Sequence, residues 1–238
     1  MVLVIAASPA QAVILYGDYS GTTVDFFAVS EDSVTNPGTP LFGGLLGPQL
    51  FGDALAFFPN SFIAHSAGGG TATTSGVLMM TITAKPGFYI DKVSVIELGD
   101  WQISGVGATT SVYAGGNLDV TDQTLTFGTF GGALDILPTM PLSTPASGTW
   151  SGGQEVDFLG MFLVGVTQVY LELTNTLIAE SEPGTTALIQ KKVVGETVIT
   201  VETSNGAPVI PEPSTLLIVG LGLLSMATWR WRQDRRAA

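Results

Sequence analysis

The sequence lacks cysteine altogether and has a single histidine, His65. Without cysteine the chain forms no disulfide, binds no zinc or iron–sulfur cluster through thiolates and has no thiol nucleophile. One histidine also excludes metal sites that need two imidazoles. Charge is scarce, with eight basic residues against twenty acidic ones. Because a polyanion requires a basic footprint, we do not expect nucleic-acid binding.

The surroundings of His65 do not predict a hydrolase. Ala64-His65-Ser66-Ala67-Gly68 has a faint likeness to a nucleophile elbow, but the only imidazole directly precedes the serine. No alternation of strands and helices surrounds it. We interpret His65 as a polar loop residue before a glycine run. Since no other residues form a convincing catalytic constellation, we predict that the protein is not an enzyme.

Acidic residues are the one abundant titratable class, and between residues 13 and 210 there are 18 of them against 4 basic residues. Calcium prefers several hard oxygen ligands, so a calcium-stabilised module stays open as a hypothesis. No EF-hand pattern is present, and we predict no metal or other cofactor. Solvated loop charge is the simpler interpretation of the acidic pairs, which are Glu31 with Asp32, Asp119 with Asp122, Glu155 with Asp157 and Glu180 with Glu182.

The middle of the chain has the pattern of short antiparallel strands. Residues 78–84 alternate apolar and polar side chains, as do residues 168–174 and 197–201, which is the period of a half-buried strand. Pro86-Gly87 predicts a turn, and the change of parity from Phe88 and Ile90 to Val93 and Val95 predicts a bulge near Asp91-Lys92. These features predict an all-β fold, an antiparallel β-sandwich of jelly-roll or immunoglobulin-like kind.

Glycine and proline clusters predict the loops that separate these strands. The predicted loops are Asn36-Pro37-Gly38, Gly68-Gly69-Gly70, Gly115-Gly116-Asn117, Gly131-Gly132, Pro138 to Ser151 and Glu182-Pro183-Gly184.

The C-terminal region carries the features of a membrane anchor. Residues 215–231 form an apolar run interrupted only by Arg230, and at about 1.5 Å per residue they span roughly 25 Å, close to the hydrocarbon thickness of a bilayer. We predict a transmembrane helix here. The basic residues that follow should remain cytoplasmic under the positive-inside rule; the topology-setting residues are Arg230, Arg232, Arg235 and Arg236.

The N-terminal segment resembles the end of an export signal. Residues 1–12 are mainly apolar and finish on Ala10-Gln11-Ala12, in which Ala10 and Ala12 have the small-x-small form of a signal-peptidase site. The positively charged start of a signal peptide is missing, so we interpret residues 1–12 as a signal-peptide remnant; a first β-strand is the alternative.

Just before the apolar run, Pro211, Glu212 and Pro213 form an extended tether. Each proline fixes φ and removes an amide donor, so the segment joins neither a helix nor a central strand. A Pro-Glu-Pro triplet, an apolar helix and a terminal arginine cluster in this order resemble the PEP-CTERM sorting signal. That resemblance implies an exported bacterial protein whose partner, the membrane protease-like transpeptidase exosortase, recognises the triplet and removes the helix and tail.

We therefore predict five segments. They are a signal-peptide remnant (1–12), a β-sandwich body (13–205), a tether with the Pro-Glu-Pro motif (206–214), a transmembrane helix (215–231) and a basic cytoplasmic tail (232–238). The predicted function is that of a non-catalytic exported surface or matrix protein. It begins as an inner-membrane-anchored precursor with its body outside the cytoplasm and is associated with extracellular polysaccharide or biofilm.

The alternative is a carbohydrate-binding domain, or less favourably a carbohydrate-cleaving one, on the same anchor. It requires an open groove with aromatic residues that stack on sugars and with nearby carboxylates. The candidate aromatics are Trp101, Tyr113, Trp150 and Tyr170.

Overall fold

The computed structural model describes residues 13–44, 46–124, 127–159, 165–191 and 197–206. These residues form an all-β fold in which every strand pairing is antiparallel, as the sequence predicts. The strands are β1 (Ile14–Ser20), β2 (Val24–Ser33), β3 (Gln49–Phe51), β4 (Ala54–Phe57), β5 (Ile63–Ala67), β6 (Gly70–Ala84), β7 (Phe88–Ser104), β8 (Ser111–Asp122), β9 (Thr129–Ala133), β10 (Asp135–Leu137), β11 (Ala146–Asp157), β12 (Gln168–Ser181), β13 (Thr186–Lys191) and β14 (Thr197–Asn205).

Sheet A contains six strands in the order β1-β2-β6-β12-β8-β9. Its centre is β12, which pairs with β6 on one side and with β8 on the other along nearly its whole length. The predicted alternation of residues 78–84 and 168–174 is confirmed in β6 and β12. One face of these strands is buried and contributes Leu78, Met80, Ile82, Val169, Leu171 and Leu173.

Sheet B is ordered β10-β11-β7-β14-β4-β3, and β13 and β5 extend it. Strand β7 pairs with β11 along one edge, whereas its other edge is shared between β14 and β13. Ile96 is the last residue of β7 opposite β14, and Gly99 is the first opposite β13. Glu97 therefore lies where the partner of β7 changes.

The two sheets pack in a sandwich-like arrangement around one hydrophobic cluster. Buried side chains of sheet A, such as Leu171, and of sheet B, such as Val95, belong to the same cluster. Two rings from segments outside the strands, Phe42 and Phe62, are fully buried and meet edge to face with centroids 5.2 Å apart. Burial of this apolar surface is the main stabilising term of such a fold.

The hairpin between β6 and β7 confirms two predictions. Pro86 and Gly87 form the turn, closed by the Phe88 amide, which donates to the Lys85 carbonyl at 3.0 Å. The predicted bulge lies at Asp91. Glu202 of β14 is opposite Lys92 and Thr203 is opposite Ile90, so Asp91 has no residue opposite it in β14. The extra residue turns Val93 and Val95 toward the core.

Four predicted loops are wrong in whole or in part, the least of them Gly68-Gly69-Gly70, whose last residue begins β6. Gly115-Gly116-Asn117 lies within β8, and Gly131-Gly132 lies within the edge strand β9. Of the predicted loop from Pro138 to Ser151, the last six residues belong to β11. Glycine marks close approach as well as turns: a Cβ on Gly116 would lie 2.4 Å from the Thr174 carbonyl oxygen of the neighbouring strand.

No helix within the described residues is long and apolar enough to cross a membrane. The predicted transmembrane helix (215–231), the signal-peptide remnant (1–12) and the basic tail (232–238) lie outside the described residues, as does the predicted tether from residue 207 onward.

Candidate functional site

The residues predicted to direct sorting lie outside the part of the chain that the structure describes. They are Pro211, Glu212 and Pro213 of the motif, the basic residues Arg230, Arg232, Arg235 and Arg236, and Ala10 and Ala12 of the signal-peptidase site. The structure therefore bears on the chemistry of the β-sandwich body.

Glu31 has a structural role inside the protein. Its buried carboxylate accepts the backbone N–H groups of Leu41 at 2.5 Å, Phe42 at 2.7 Å and Gly43 at 3.3 Å. Burial raises the pKa of Glu31, and the three amides act against that rise. The neighbouring Tyr16 phenol also has a raised pKa, first through burial and then through the Glu31 charge. Glu31 thus anchors the segment that carries Phe42 into the core.

Two other acidic pairs contribute single residues to local surface contacts. Glu182 accepts the hydroxyl and the backbone N–H of Thr109 at 2.8 and 2.6 Å, and these hydrogen bonds lower its pKa. Glu155 lies 3.7 Å from the ammonium of Lys92, which has Glu202 at the same distance. Exposed ion pairs of this kind contribute little to stability.

The pair Asp119 and Asp122 does not form one cation site. The two residues stand at positions of opposite parity in β8, so their side chains leave sheet A on opposite faces. In the described ranges no group of three or more His, Asp or Glu side chains is arranged to hold a metal ion.

The candidate sugar-stacking aromatics do not share a groove. Trp150 is buried, and its indole N–H donates to the Gln190 carbonyl at 3.2 Å. Trp101 packs half-buried against the core in sheet B, whereas Tyr113 and Tyr170 belong to sheet A. The four rings are therefore divided between the two sheets.

Sheet B does have two adjoining surface depressions of about 530 and 550 Å³, which share Leu137 and Ser151. Asp135 and Glu155 are among the residues that line the first, and Trp150 is among those that line the second. Acidic and apolar residues thus meet on this face.

His65 lies in β5, so its interpretation as a loop residue is wrong. The imidazole is exposed, while the neighbouring Ser66 hydroxyl is buried and lies 2.8 Å from the Ser181 hydroxyl. Ser66 also donates to the Gly70 carbonyl at 2.7 Å. The nucleophile-elbow geometry, a sharp turn that exposes a serine, is absent at this described position.

The most unusual polar group in the described core is a cluster of Glu97, Asn175 and Lys191. The Lys191 ammonium nitrogen Nζ lies 2.5 Å from Oε1 of Glu97 and 2.7 Å from Oδ1 of Asn175. The Asn175 amide nitrogen Nδ2 donates to Oε2 of Glu97 at 2.8 Å. The Lys191 and Glu97 side chains have 0% exposure, so the three groups form a closed triangle out of contact with bulk solvent.

Glycines in sheet A make room for the cluster. Asn175 in β12 is directly opposite Gly76 of β6 and Gly116 of β8. A Cβ on Gly116 would lie 2.4 Å from the Asn175 Nδ2, and one on Gly76 would lie 3.3 Å from the Phe42 ring. The glycines on both neighbouring strands thus leave space for Asn175 and for the ring that covers the cluster.

Aromatic rings complete the surroundings of Lys191. Its Nζ is 4.6 Å from the centroid of Phe42 and 4.8 Å from that of Phe62. Burial lowers the pKa of Lys191, opposed by the charges of Glu97 and Glu31. On balance these surroundings favour the neutral amine relative to water.

None of the predicted site residues belongs to this cluster, although the sequence carries a signal for it. Val93 and Val95 were expected on one face of a strand, and Glu97 has the same parity. Asn175 likewise continues the row of Val169, Leu171 and Leu173. Extending the two-residue period would have placed both polar residues on the core face, where polar groups require partners.

Comparison with known proteins confirms the resemblance at the C-terminus. The family model of the PEP-CTERM protein-sorting motif matches residues 209–236. No curated protein matches the chain. The enzymatically active domain of bacteriophage CBA120 tailspike protein 4 is 12% identical over 59% of this chain, with a TM-score of 0.18, and the match spans only 19% of that chain. The structure of infectious bursal disease virus, Gx strain, is 10% identical over 73% of this chain and 53% of that chain, with a TM-score of 0.15. At these TM-scores neither structure informs fold or function.

Proposed function

We propose that this chain, whose PEP-CTERM sorting motif supports export and sorting through exosortase, is a non-catalytic protein of the cell surface or extracellular matrix. The observation that carries the proposal is the motif at residues 209–236. In the proposed pathway the precursor is held in the inner membrane by residues 215–231 with its body outside the cytoplasm. Exosortase recognises Pro211, Glu212 and Pro213 and releases the body to an extracellular polysaccharide or biofilm matrix.

The body suits the role of an exported structural module. Its described core is formed by antiparallel strands, and its long strands from β6 to β8 pass alternately between the two sheets. The polar residues in the core hold segments together, as Glu31 does for residues 41–43.

The sorting proposal is tested by replacing both motif prolines. The double variant Pro211→Ala, Pro213→Ala, expressed in a host that has exosortase, should remain uncleaved and membrane-bound, because the extended recognition segment is lost. Pro208→Ala, just outside the matched motif, is the control and should mature normally. Membrane fractionation and immunoblotting report the outcome, and normal maturation of the double variant would refute the proposal.

A second candidate, carbohydrate binding, draws on the two adjoining depressions of sheet B. Their carboxylates, Asp135 and Glu155, are of the kind that accepts sugar hydroxyls. Binding of soluble polysaccharides by the full chain should weaken in Asp135→Asn, Glu155→Gln, whereas Asp18→Asn on β1 in sheet A should bind as the wild type does. A glycan array without any bound glycan would count against this candidate.

A further inference from the structure

We propose that the side chains of Lys191 and Asn175 join in an intramolecular isopeptide bond, with Glu97 as the acid–base group of the reaction. The cluster contains the three groups that this chemistry needs: an amine nucleophile, a carboxamide carbon and a carboxyl group in contact with both. The modification site is independent of the sorting motif and goes beyond the proposed function.

The geometry brings the reacting atoms together. Lys191 Nζ lies 2.7 Å from the Oδ1 of Asn175. Because a C=O bond is about 1.2 Å long, Nζ is at most about 3.9 Å from the Cγ that it would attack. Strands β12 and β13 hold the two groups in place, so the reaction is intramolecular and benefits from the effective concentration of a fixed pair.

The surroundings prepare the nucleophile. An ammonium group has no lone pair, so Lys191 must first lose a proton, and the complete burial of its side chain favours that loss. Oε1 of Glu97, 2.5 Å away, accepts the proton. The result is a neutral amine beside a neutral carboxylic acid, in a pocket closed to water.

The bond then forms by addition and elimination. The Nζ lone pair attacks Cγ of Asn175 and the carbonyl π electrons move to Oδ1, giving a tetrahedral intermediate. The protonated Glu97 carboxyl group, whose Oε2 lies 2.8 Å from Nδ2, gives its proton to that nitrogen. A second proton then passes from Nζ to the Glu97 carboxylate that this leaves. Collapse of the intermediate restores C=O and breaks the Cγ–Nδ2 bond, so one ammonia molecule leaves. No oxidant or other co-reactant is needed.

The product fits the core better than the reactants do. A buried lysine–glutamate ion pair is replaced by an amide and a protonated carboxyl group, which removes two desolvated charges. The new bond also connects β12 of sheet A to β13 of sheet B. The two halves of the sandwich are then linked covalently in a chain that has no cysteine for disulfides.

Peptide mapping of the purified full chain tests the proposal. A protease that cuts after glutamate separates residues 173–180 from residues 181–196, because the Glu182–Pro183 bond resists cleavage. We expect these two peptides to be recovered as one branched species, lighter than their sum by one ammonia, about 17 Da. Succinimide formation at Asn205-Gly206 releases ammonia as well but gives no branch. Recovery of the two peptides as separate linear species from the wild type would overturn the proposal.

Variants identify the atoms involved. Lys191→Arg should abolish the branch, whereas Lys192→Arg, a change in the same peptide, should retain it. Asn175→Asp should give a branched product of the same mass as the wild type, since it loses water in place of ammonia. Glu97→Gln keeps hydrogen-bonding capacity but takes no proton, so the branch should be lost although circular dichroism shows a folded protein. A branch that persists in Lys191→Arg or Glu97→Gln would contradict the roles given to these residues. If a variant does not fold, the peptide map of the wild type alone shows whether the bond is present.

Discussion

Replacement of Gly116 by alanine probes the tight packing behind the buried cluster. The added Cβ would lie 2.4 Å from both the Thr174 carbonyl oxygen and the Asn175 Nδ2, and 2.9 Å from Leu134 Cδ1. Ordinary contacts begin near 3.4 Å, so each of the first two atoms must move by about 1 Å. The Thr174 oxygen belongs to the central strand of sheet A, paired on both sides, and cannot move alone.

Overpacking of this kind costs about 1–3 kcal/mol of unfolding free energy. For a domain of this size, each kcal/mol lowers Tm by about 2–4 °C, so Gly116→Ala should melt about 2–12 °C below the wild type. Gly153→Ala is the matched control, a mid-strand glycine whose Cβ would meet nothing closer than the Val95 oxygen at 3.4 Å. Its Tm should stay the same or rise slightly, because alanine lowers the entropy of the unfolded chain.

The assay is thermal unfolding of the full chain in mild detergent, followed by far-ultraviolet circular dichroism. A Gly116→Ala variant that melts at the wild-type temperature would contradict the predicted overpacking, and so would a Gly153→Ala variant that is destabilised equally. Equal destabilisation would mean that the loss reflects strand glycines in general rather than the contact with Thr174 and Asn175.

Three further outcomes are expected. Leu171→Ala removes a fully buried side chain and should lower the unfolding free energy, measured by chemical denaturation, by about 2–5 kcal/mol. Leu159 is 66% exposed, so Leu159→Ala should stay within about 0.5 kcal/mol of the wild type. Similar losses in both variants would contradict the described core. Burial alone would raise the pKa of Asp53, but hydrogen bonds from Thr23 and backbone amides outweigh burial and lower it. The ionised carboxylate therefore stabilises the fold at any pH above 3.8, the pKa of the unfolded chain. This stabilisation is lost as the pH falls through the lower pKa of the folded protein. The Tm deficit of Asp53→Asn should accordingly shrink in acid, and a deficit independent of pH would contradict the assignment. Chelation with EDTA should leave Tm unchanged, since a calcium ion bound only to the folded state would raise it; a lower Tm in EDTA would show that calcium binds.

Local sequence patterns were sufficient for much of the sandwich. The two-residue period at residues 78–84 and 168–174 reports which face is buried, because successive side chains of a strand point to opposite sides. The Pro86-Gly87 turn and the bulge at Asp91 were also readable, since both depend on residues adjacent in the chain. The loop predicted at Gly115-Gly116 was wrong, because glycine is equally compatible with a turn and with a close approach of two strands.

The buried cluster shows where local pattern fails. Glu97 is 78 positions from Asn175 and 94 from Lys191 along the chain. These three residues come together because the strand paired with one edge of β7 changes from β14 to β13, and because sheet A packs over sheet B. Neither arrangement has a local sequence signal, because strand pairing joins residues of any separation.

The absence of cysteine and the scarcity of charge were readable at once, and so was the sorting motif, because exosortase substrates are marked by a short contiguous segment. Sequence alone was enough to show that the body between residues 13 and 205 is built from β-strands where the structure describes it, that the chain carries a PEP-CTERM motif and that thiol chemistry is excluded. Which polar residues share the core depends on the packing of the two sheets. Burial removes water from Lys191, Glu97 and Asn175 together, and a desolvated amine beside a carboxamide is a property of packing that no single segment contains.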